Sequence, residues 1–268
     1  MRNAEAKAIW TPTDPSNSKH LWAPEIHRIN GKWYVYYAAD DGNTDNHQLY
    51  VLENSSPDPM EGKFEMKGSI ITNPEWNWGI QATTFEHKGV RYLAWSGWPK
   101  RRTNAETQCI YIARMKDPWT LDSPRVLISK PEYEWERQWV NPDGSRTAYP
   151  AASGSWSPYY CVGMLTADAE SDLLDPASWT KSSVPVFQQS LENEVYGPGG
   201  LSFVPSPDGT EWYMIYHARQ VTNGDTGSPE TRNPRIQKIG WDAHGMPDLG
   251  IPVRAGVALP KPSGTLLK

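Results

Sequence analysis

The feature that most constrains this chain is an internal repeat. "INGKWYVYYAA" (29–39) reads as a glycine turn followed by alternating aromatic and aliphatic residues. "HKGVRYLAWSG" (87–97), "PDGSRTAYPAA" (142–152) and "PDGTEWYMIYHA" (207–218) repeat it. The turn glycines Gly31, Gly89, Gly144 and Gly209 are separated by 58, 55 and 65 residues. A third strand is predicted after each hairpin: "QLYVLE" (48–53), "CIYIARM" (109–115), "YCVGMLTA" (160–167) and "RIQKIGWD" (235–242). Asp-Pro follows the first three, at Asp58-Pro59, Asp117-Pro118 and Asp175-Pro176. Asp captures nearby backbone N–H groups and Pro pre-sets φ, which suits a sharp exit from a strand. Edge strands are predicted near "KGSIIT", "PRVLIS" and "SVPVF".

Four strands repeated at this period describe propeller blades, which cover each other's faces. No stretch shows sustained helical periodicity. A β-sandwich is the alternative, but it does not demand repeats of matched layout. The expectation is an all-β fold, a single β-propeller domain over 1–268. Its blades fall at about 18–73, 74–130, 131–189 and 190–258, with 1–17 as the remnant of a preceding blade.

The aromatic composition is skewed: 14 Trp and 13 Tyr against 4 Phe. Indole faces suit pleated sheet packing and also suit stacking on sugar rings. The net charge of −5 and the absence of a dense Lys/Arg cluster argue against nucleic acid. Lys100-Arg101-Arg102 reads as a solvated loop. No run of 18 apolar residues predicts a membrane span, and the first residues lack the apolar core of a signal peptide. Cys109 and Cys161 lie in apolar runs and read as buried thiols, with a pairing between them left open.

Four segments are specific: "LWAPEIHRINGKWYVYYAA", "TFEHKGVRYLAWSGWP", "WSPYYCVGMLTADAESDLLDPASWTK" and "VYGPGGLSFVPSPDGTEWYMIYHAR". In order and at blade spacing they resemble glycoside hydrolase family 43, most of all its α-L-arabinofuranosidases. The resemblance implies a five-bladed β-propeller, secretion, and an arabinose- or xylose-containing oligo- or polysaccharide from plant cell walls. It implies hydrolysis with inversion: a carboxylate base activates water, and a carboxylic acid protonates the leaving oxygen. A third carboxylate raises the acid's pKa by like-charge proximity.

Against that pattern the chain departs at several positions. Few residues precede Trp22-Ala23-Pro24-Glu25, so the blade that would carry the base is expected to be missing, and Asp14-Pro15 reads as a turn. "IQATTF" places Gln81 where the family has its pKa-tuning Asp. No Glu-Gly-Pro segment is present for the acid. Only four steps separate Val140 from Gly144, so the inner strand of that blade reads as largely deleted. Relatives tend to carry His after Gly-Pro-Gly, facing a channel ion or water; here that position is Gly200, and no metal-ligand spacing replaces it. No cofactor is therefore expected. Glu192, Glu194, Glu134 and Glu136 read as surface charges, Glu132 falls with the last two just before the shortened strand, and Asp143 reads as a turn residue. Candidate sugar-binding residues are Trp22, Glu25, Trp78, Gln81, Trp98 and Arg235, with Glu25 as an inner-strand scaffold residue beside the pocket.

Four functions follow as alternatives: an arabinofuranosidase-like hydrolase, a catalytically impaired sugar-binding propeller, an incomplete gene product, or a protein-interaction propeller, since fold alone does not decide.

Overall fold

The computed structural model describes residues 6–100, 108–140, 146–147, 154–155, 157–220 and 232–265. Seventeen strands are described: β1 (Lys19–Ile29), β2 (Lys32–Asp40), β3 (Gln48–Asn54), β4 (Glu65–Ser69), β5 (Gly79–His87), β6 (Val90–Gly97), β7 (Cys109–Asp117), β8 (Thr120–Leu121), β9 (Val126–Ser129), β10 (Trp139–Val140), β11 (Arg146–Thr147), β12 (Leu165–Ala167), β13 (Trp179–Lys181), β14 (Tyr196–Pro205), β15 (Trp212–Arg219), β16 (Asn233–Trp241) and β17 (Pro247–Asp248). The described helical pieces are short 3₁₀ turns. Contacts divide the chain into two compact units: Met1–Lys130 with Ala167–Trp179, and Pro131–Thr166 with Thr180–Lys268.

In the first unit two antiparallel sheets run β1-β2-β3-β4 and β5-β6-β7-β8, with β9 also on β7. The predicted hairpins are present. Asn30-Gly31 (φ 50 and 81) turns β1 into β2, and Lys88-Gly89 (φ 50 and 74) turns β5 into β6. Two consecutive residues at positive φ form the tight turn whose twist matches flanking strands. Central strands read as continuous apolar runs because both faces are covered. In β2, Tyr34, Tyr36 and Ala38 join β5–β7 in one core with Leu93, Trp95 and Tyr111. Val35, Tyr37 and Ala39 face a second core that Trp10 caps, its ring 5.6 Å from Tyr37.

In the second unit β14-β15-β16-β17 form a four-stranded sheet. Met214, Tyr216, Ala218 and Ile239 pack with Phe187 and Val195. Gly209 (φ 72) closes the loop between β14 and β15. Two short ladders, β10–β11 and β12–β13, stand in the predicted third blade. The pairs Trp139↔Thr147 and Val140↔Arg146 make the β10–β11 ladder. Gly144, Asp143 and Arg101-Arg102 lie outside the described residues.

Three sequence expectations shift, the first being that "SVPVF" forms no strand and only its Phe187 makes a bridge. The third strand of that blade is Leu165–Ala167 rather than the whole of 160–167; Val162 instead makes an isolated bridge to Phe187. Val162 N donates to Phe187 O and Val162 O accepts from Val186 N, so this stretch pairs with residues 186–187 instead. Near "KGSIIT" the edge strand ends at Ser69, and Ile70 N donates to Leu49 O at 2.8 Å. Cys109 is buried in β7, Cys161 is partly buried, and neither forms a disulfide. Burial, then the charge of Glu136, pushes the Cys161 thiol up to about 12.

Candidate active site on the inner strands

The inner strand of three blades carries the same irregularity. Trp22↔Ala38 is followed by Glu25↔Tyr36, so three steps on β1 oppose two on β2. Ile80↔Ser96 then Thr83↔Ala94 repeats this on β5, and Gly199↔His217 then Ser202↔Ile215 on β14. Each extra residue is a β-bulge, a device that bends a strand and re-aims a side chain. In each bulge one residue sits at positive φ: Ala23 (46), Gln81 (54) and Gly200 (63). They are one structural position in three blades, eight, eight and nine residues before the turn glycine. A non-glycine residue there costs about 1–2 kcal/mol, and such strain concentrates at working sites. Gln81 is exposed despite that cost. Its amide keeps hydrogen-bonding capacity without charge.

Two residues beyond the bulge, Glu25 and Thr83 meet. Thr83 Oγ1 donates to Glu25 Oε1 at 2.7 Å, joining β1 to β5. His27 Nε2 lies 2.8 Å from the same oxygen, without hydrogen-bond alignment. Glu25 is thus a half-buried carboxylate that ties two inner strands together.

The three candidate tryptophans separate. Trp22 is 40% exposed and stacks on His47, rings 4.0 Å apart. Trp78 and Trp98 are 3% and 1% exposed and stack on each other at 4.0 Å, nearly parallel. The Trp78 indole N–H donates to Thr44 O at 2.9 Å. The stack removes the face each would offer a sugar, so among these three Trp22 alone keeps an exposed platform.

Sequence reasoning missed what holds Trp22. Asp40, fully buried, sits 2.8 Å from His20 Nδ1 and 2.8 Å from His47 Nδ1. His47 Nε2 is 3.0 Å from His20 O. Burial lowers the His47 pKa against the opposing pull of His20 O and Asp40. Residues 20, 40 and 47 show no spacing that announces a cluster; the β1–β2 register creates it.

In the second unit, Gly199 and Gly200 admit no side chain. A Cβ on Gly199 would overlap the Tyr160 ring, and one on Gly200 would come within 2.8 Å of His217 Cδ2 and 3.0 Å of Nε2. The His217 ring, stacked on Tyr160 at 5.8 Å, therefore occupies the space into which a residue-200 side chain would project. Burial, then Arg232 and Arg219, pushes His217 down to about 4. A channel ion held by residue 200 does not fit these residues, and among the described residues no three His, Cys, Asp or Glu side chains are placed to hold a metal.

Arg235 faces Tyr216 across the β15–β16 ladder. Its Nη1 donates to Val253 O at 2.9 Å, while Nε and Nη2 have no hydrogen-bond partner among the described residues. It fixes the segment after β17, aided by Gln237, which donates to Leu249 O and Ile251 O. Asp14 caps a turn by accepting from Ser16 N at 2.9 Å. Glu192 and Glu194 are exposed, Glu194 3.1 Å from Arg254. Glu136 corrects the surface reading: it is buried, pairs with Lys181 at 3.0 Å, and accepts from the N–H groups of Glu132 and Tyr133. A buried carboxylate needs such partners, and Lys181 is too distant in sequence to reveal itself.

Four-stranded antiparallel blades with bulged inner strands define an all-β protein of the five-bladed β-propeller class, with about four blades in this chain. The family model for glycosyl hydrolases family 43 matches residues 1–247, and the chain belongs to that family. It is 40% identical to an extracellular exo-α-(1→5)-L-arabinofuranosidase of Streptomyces avermitilis and 35% identical to α-L-arabinofuranosidase B of Pyricularia oryzae. Each match covers 96% of this chain and 55% of the relative, so the chain spans about half the length of these curated relatives. The crystal structure of an α-L-arabinofuranosidase from Lactobacillus brevis superposes with a TM-score of 0.79 at 34% identity, over 93% of this chain and 82% of that one. No described helix is long and apolar enough to cross a membrane.

Proposed function

We propose that the chain acts extracellularly on arabinose- or xylose-containing plant glycans as an α-L-arabinofuranosidase-type member of family 43, engaging a terminal pentose at the bulged inner strands β1 and β5. The single observation that carries this is Gln81. It is exposed and held at positive φ, two residues from the Thr83–Glu25 hydrogen bond. A solvent-facing amide kept in a costly conformation on an inner strand is suited to grip a sugar hydroxyl. Trp22 offers the apolar face, and the names of the arabinofuranosidase relatives support the sugar class. Turnover would require an acid and a base set apart by a water. The assay is release of arabinose and xylose from aryl glycosides at high enzyme concentration. No release above a buffer blank would refute hydrolysis by this chain.

Gln81 also favours a second reading, binding without turnover. An amide cannot raise a neighbouring acid's pKa by charge. On that reading calorimetry with arabino- and xylo-oligosaccharides gives saturable heat while aryl glycosides stay intact, and an absence of heat would refute it.

A further inference from the structure

The first unit also holds a cleft whose lining includes none of the inner-strand bulge residues. A cleft of about 610 Å³ is formed by the turn at 15–17, the loop between β2 and β3, the β3–β4 edge and the loop entering β5. Trp76, in "NPEWNW", lines it and is oriented by a stack of three indoles. Trp76 lies 6.4 Å from Trp98 at 13°, and Trp98 lies 4.0 Å from Trp78 at 6°. Such a stack fixes an indole before any ligand arrives, which lowers the ordering cost of binding.

Opposite that wall the lining is rich in acceptors. Asp41 is held below the ordinary carboxylate range by the Asn43 N–H and then the Asn46 side-chain amide. Asp14 and Asp45 add carboxylates. Asn17 supplies an independent sign. It is 6% exposed, lines the cleft, and its Oδ1 has no hydrogen-bond partner among the described residues. Buried amide oxygens rarely go unsatisfied, so this one calls for a donor that the described residues do not supply. The carboxylates are not convergent enough for a cation, since no three acidic or His/Cys side chains among the described residues could hold one. The charge of Asp14, Asp41 and Asp45 opposes an anion. A neutral ligand rich in hydroxyl donors, with a flat apolar face, meets every requirement.

We propose that this cleft is an accessory binding site for a neutral oligosaccharide, with Trp76 as the stacking wall and Asn17 and Asp41 accepting sugar hydroxyls. It goes beyond the inner-strand reading. It gives the protein a second hold on the glycan, and Trp22 and the cleft lie against the same residue, His47.

The test is an NMR titration of the full ¹⁵N-labelled chain, reading indole N–H resonances assigned with Trp76→Phe and Trp22→Phe. Linear arabinotriose and xylotriose are one probe and calcium chloride the other. The proposal expects a saturable shift of Trp76 and Trp78 with at least one oligosaccharide. It expects roughly tenfold weaker binding, read at Trp78, in Trp76→Ala, and a severalfold loss in the exposed Asp41→Asn variant. A Trp22 shift that survives Trp76→Ala marks the inner-strand site separately, so the two readings fail independently. Oligosaccharide shifts confined to Trp22, no shift up to the solubility limit, or a saturable response to calcium without one to sugar would each overturn the proposal.

Discussion

Replacing Gly200 with alanine tests whether His217 fills the space above the bulge. Gly200 and Gly209 both lie in the second unit at positive φ, 63 and 72. A Cβ on Gly209 meets nothing within 4 Å, whereas one on Gly200 comes within 2.8 Å of the His217 ring. Gly209→Ala therefore isolates the backbone cost. Left-handed strain of about 1–2 kcal/mol is partly offset by about 0.4–1 kcal/mol from a less flexible unfolded chain. The net loss is about 0.5–1 kcal/mol. Gly200→Ala adds an overpacking cost of about 1–3 kcal/mol, because the Tyr160 stack limits how far His217 can swing. We expect a total loss near ~2–3 kcal/mol. In the double variant Gly200→Ala/His217→Ala the overpacking disappears, giving a favourable coupling of about 1–2 kcal/mol. Urea unfolding followed by fluorescence, with m compared between variants, measures five chains: the unaltered one, Gly209→Ala, Gly200→Ala, His217→Ala and the double variant. Equal losses for Gly200→Ala and Gly209→Ala, or strictly additive effects in the double variant, would refute the reasoning.

Further outcomes follow from the same geometry. Gln81→Asp introduces a charge at the bulge, and on the hydrolase reading aryl arabinofuranoside hydrolysis should rise over the unaltered chain; an unchanged rate would refute a pKa-tuning role for position 81. Thr83→Val removes the hydrogen bond to Glu25 and should cost about 1.5–3 kcal/mol, the scale for a bond to a charged group, read as a shift of the urea midpoint. Trp98→Ala should cost about 3–5 kcal/mol, while Trp22→Ala should leave stability nearly unchanged and weaken arabino-oligosaccharide binding in calorimetry. For pH, His217 sits at about 4 in the fold against 6.5 in the unfolded chain. The unfolded chain takes up the proton first, so stability is full above about pH 6.5 and falls as pH drops towards 4. The slope approaches about 1.4 kcal/mol per pH unit. Denaturation at stepped pH should show a shallower fall in His217→Phe, and an identical slope would refute the assignment.

Periodicity and turn chemistry made the blades legible before any coordinates. Gly31 and Gly89 announce turns because a tight turn with two consecutive positive φ values selects Gly at its second position, and β2 reads as a strand covered on both faces. Gln81 was legible as a residue type at a motif position. Its equivalence to Ala23 and Gly200 was not, because a bulge is defined by counting residues against a partner strand. Trp78 and Trp98 read as platforms because their exposure depends on each other, and 20 residues of sequence give no angle between two rings. Glu136 read as solvated because Lys181 lies 45 positions away.

By itself, then, the sequence determined the repeat, the all-β class, the hairpin turns and the residue types at each motif. These depend on short-range φ preferences and on alternation along one strand. Only the tertiary structure decided which aromatic is a wall and which is core, that Asp40 gathers His20 and His47, and that turns and loops between residues 14 and 78 enclose an acceptor-rich cleft. Those properties arise from register and packing between segments distant in the chain, where burial and distance are set jointly by both partners.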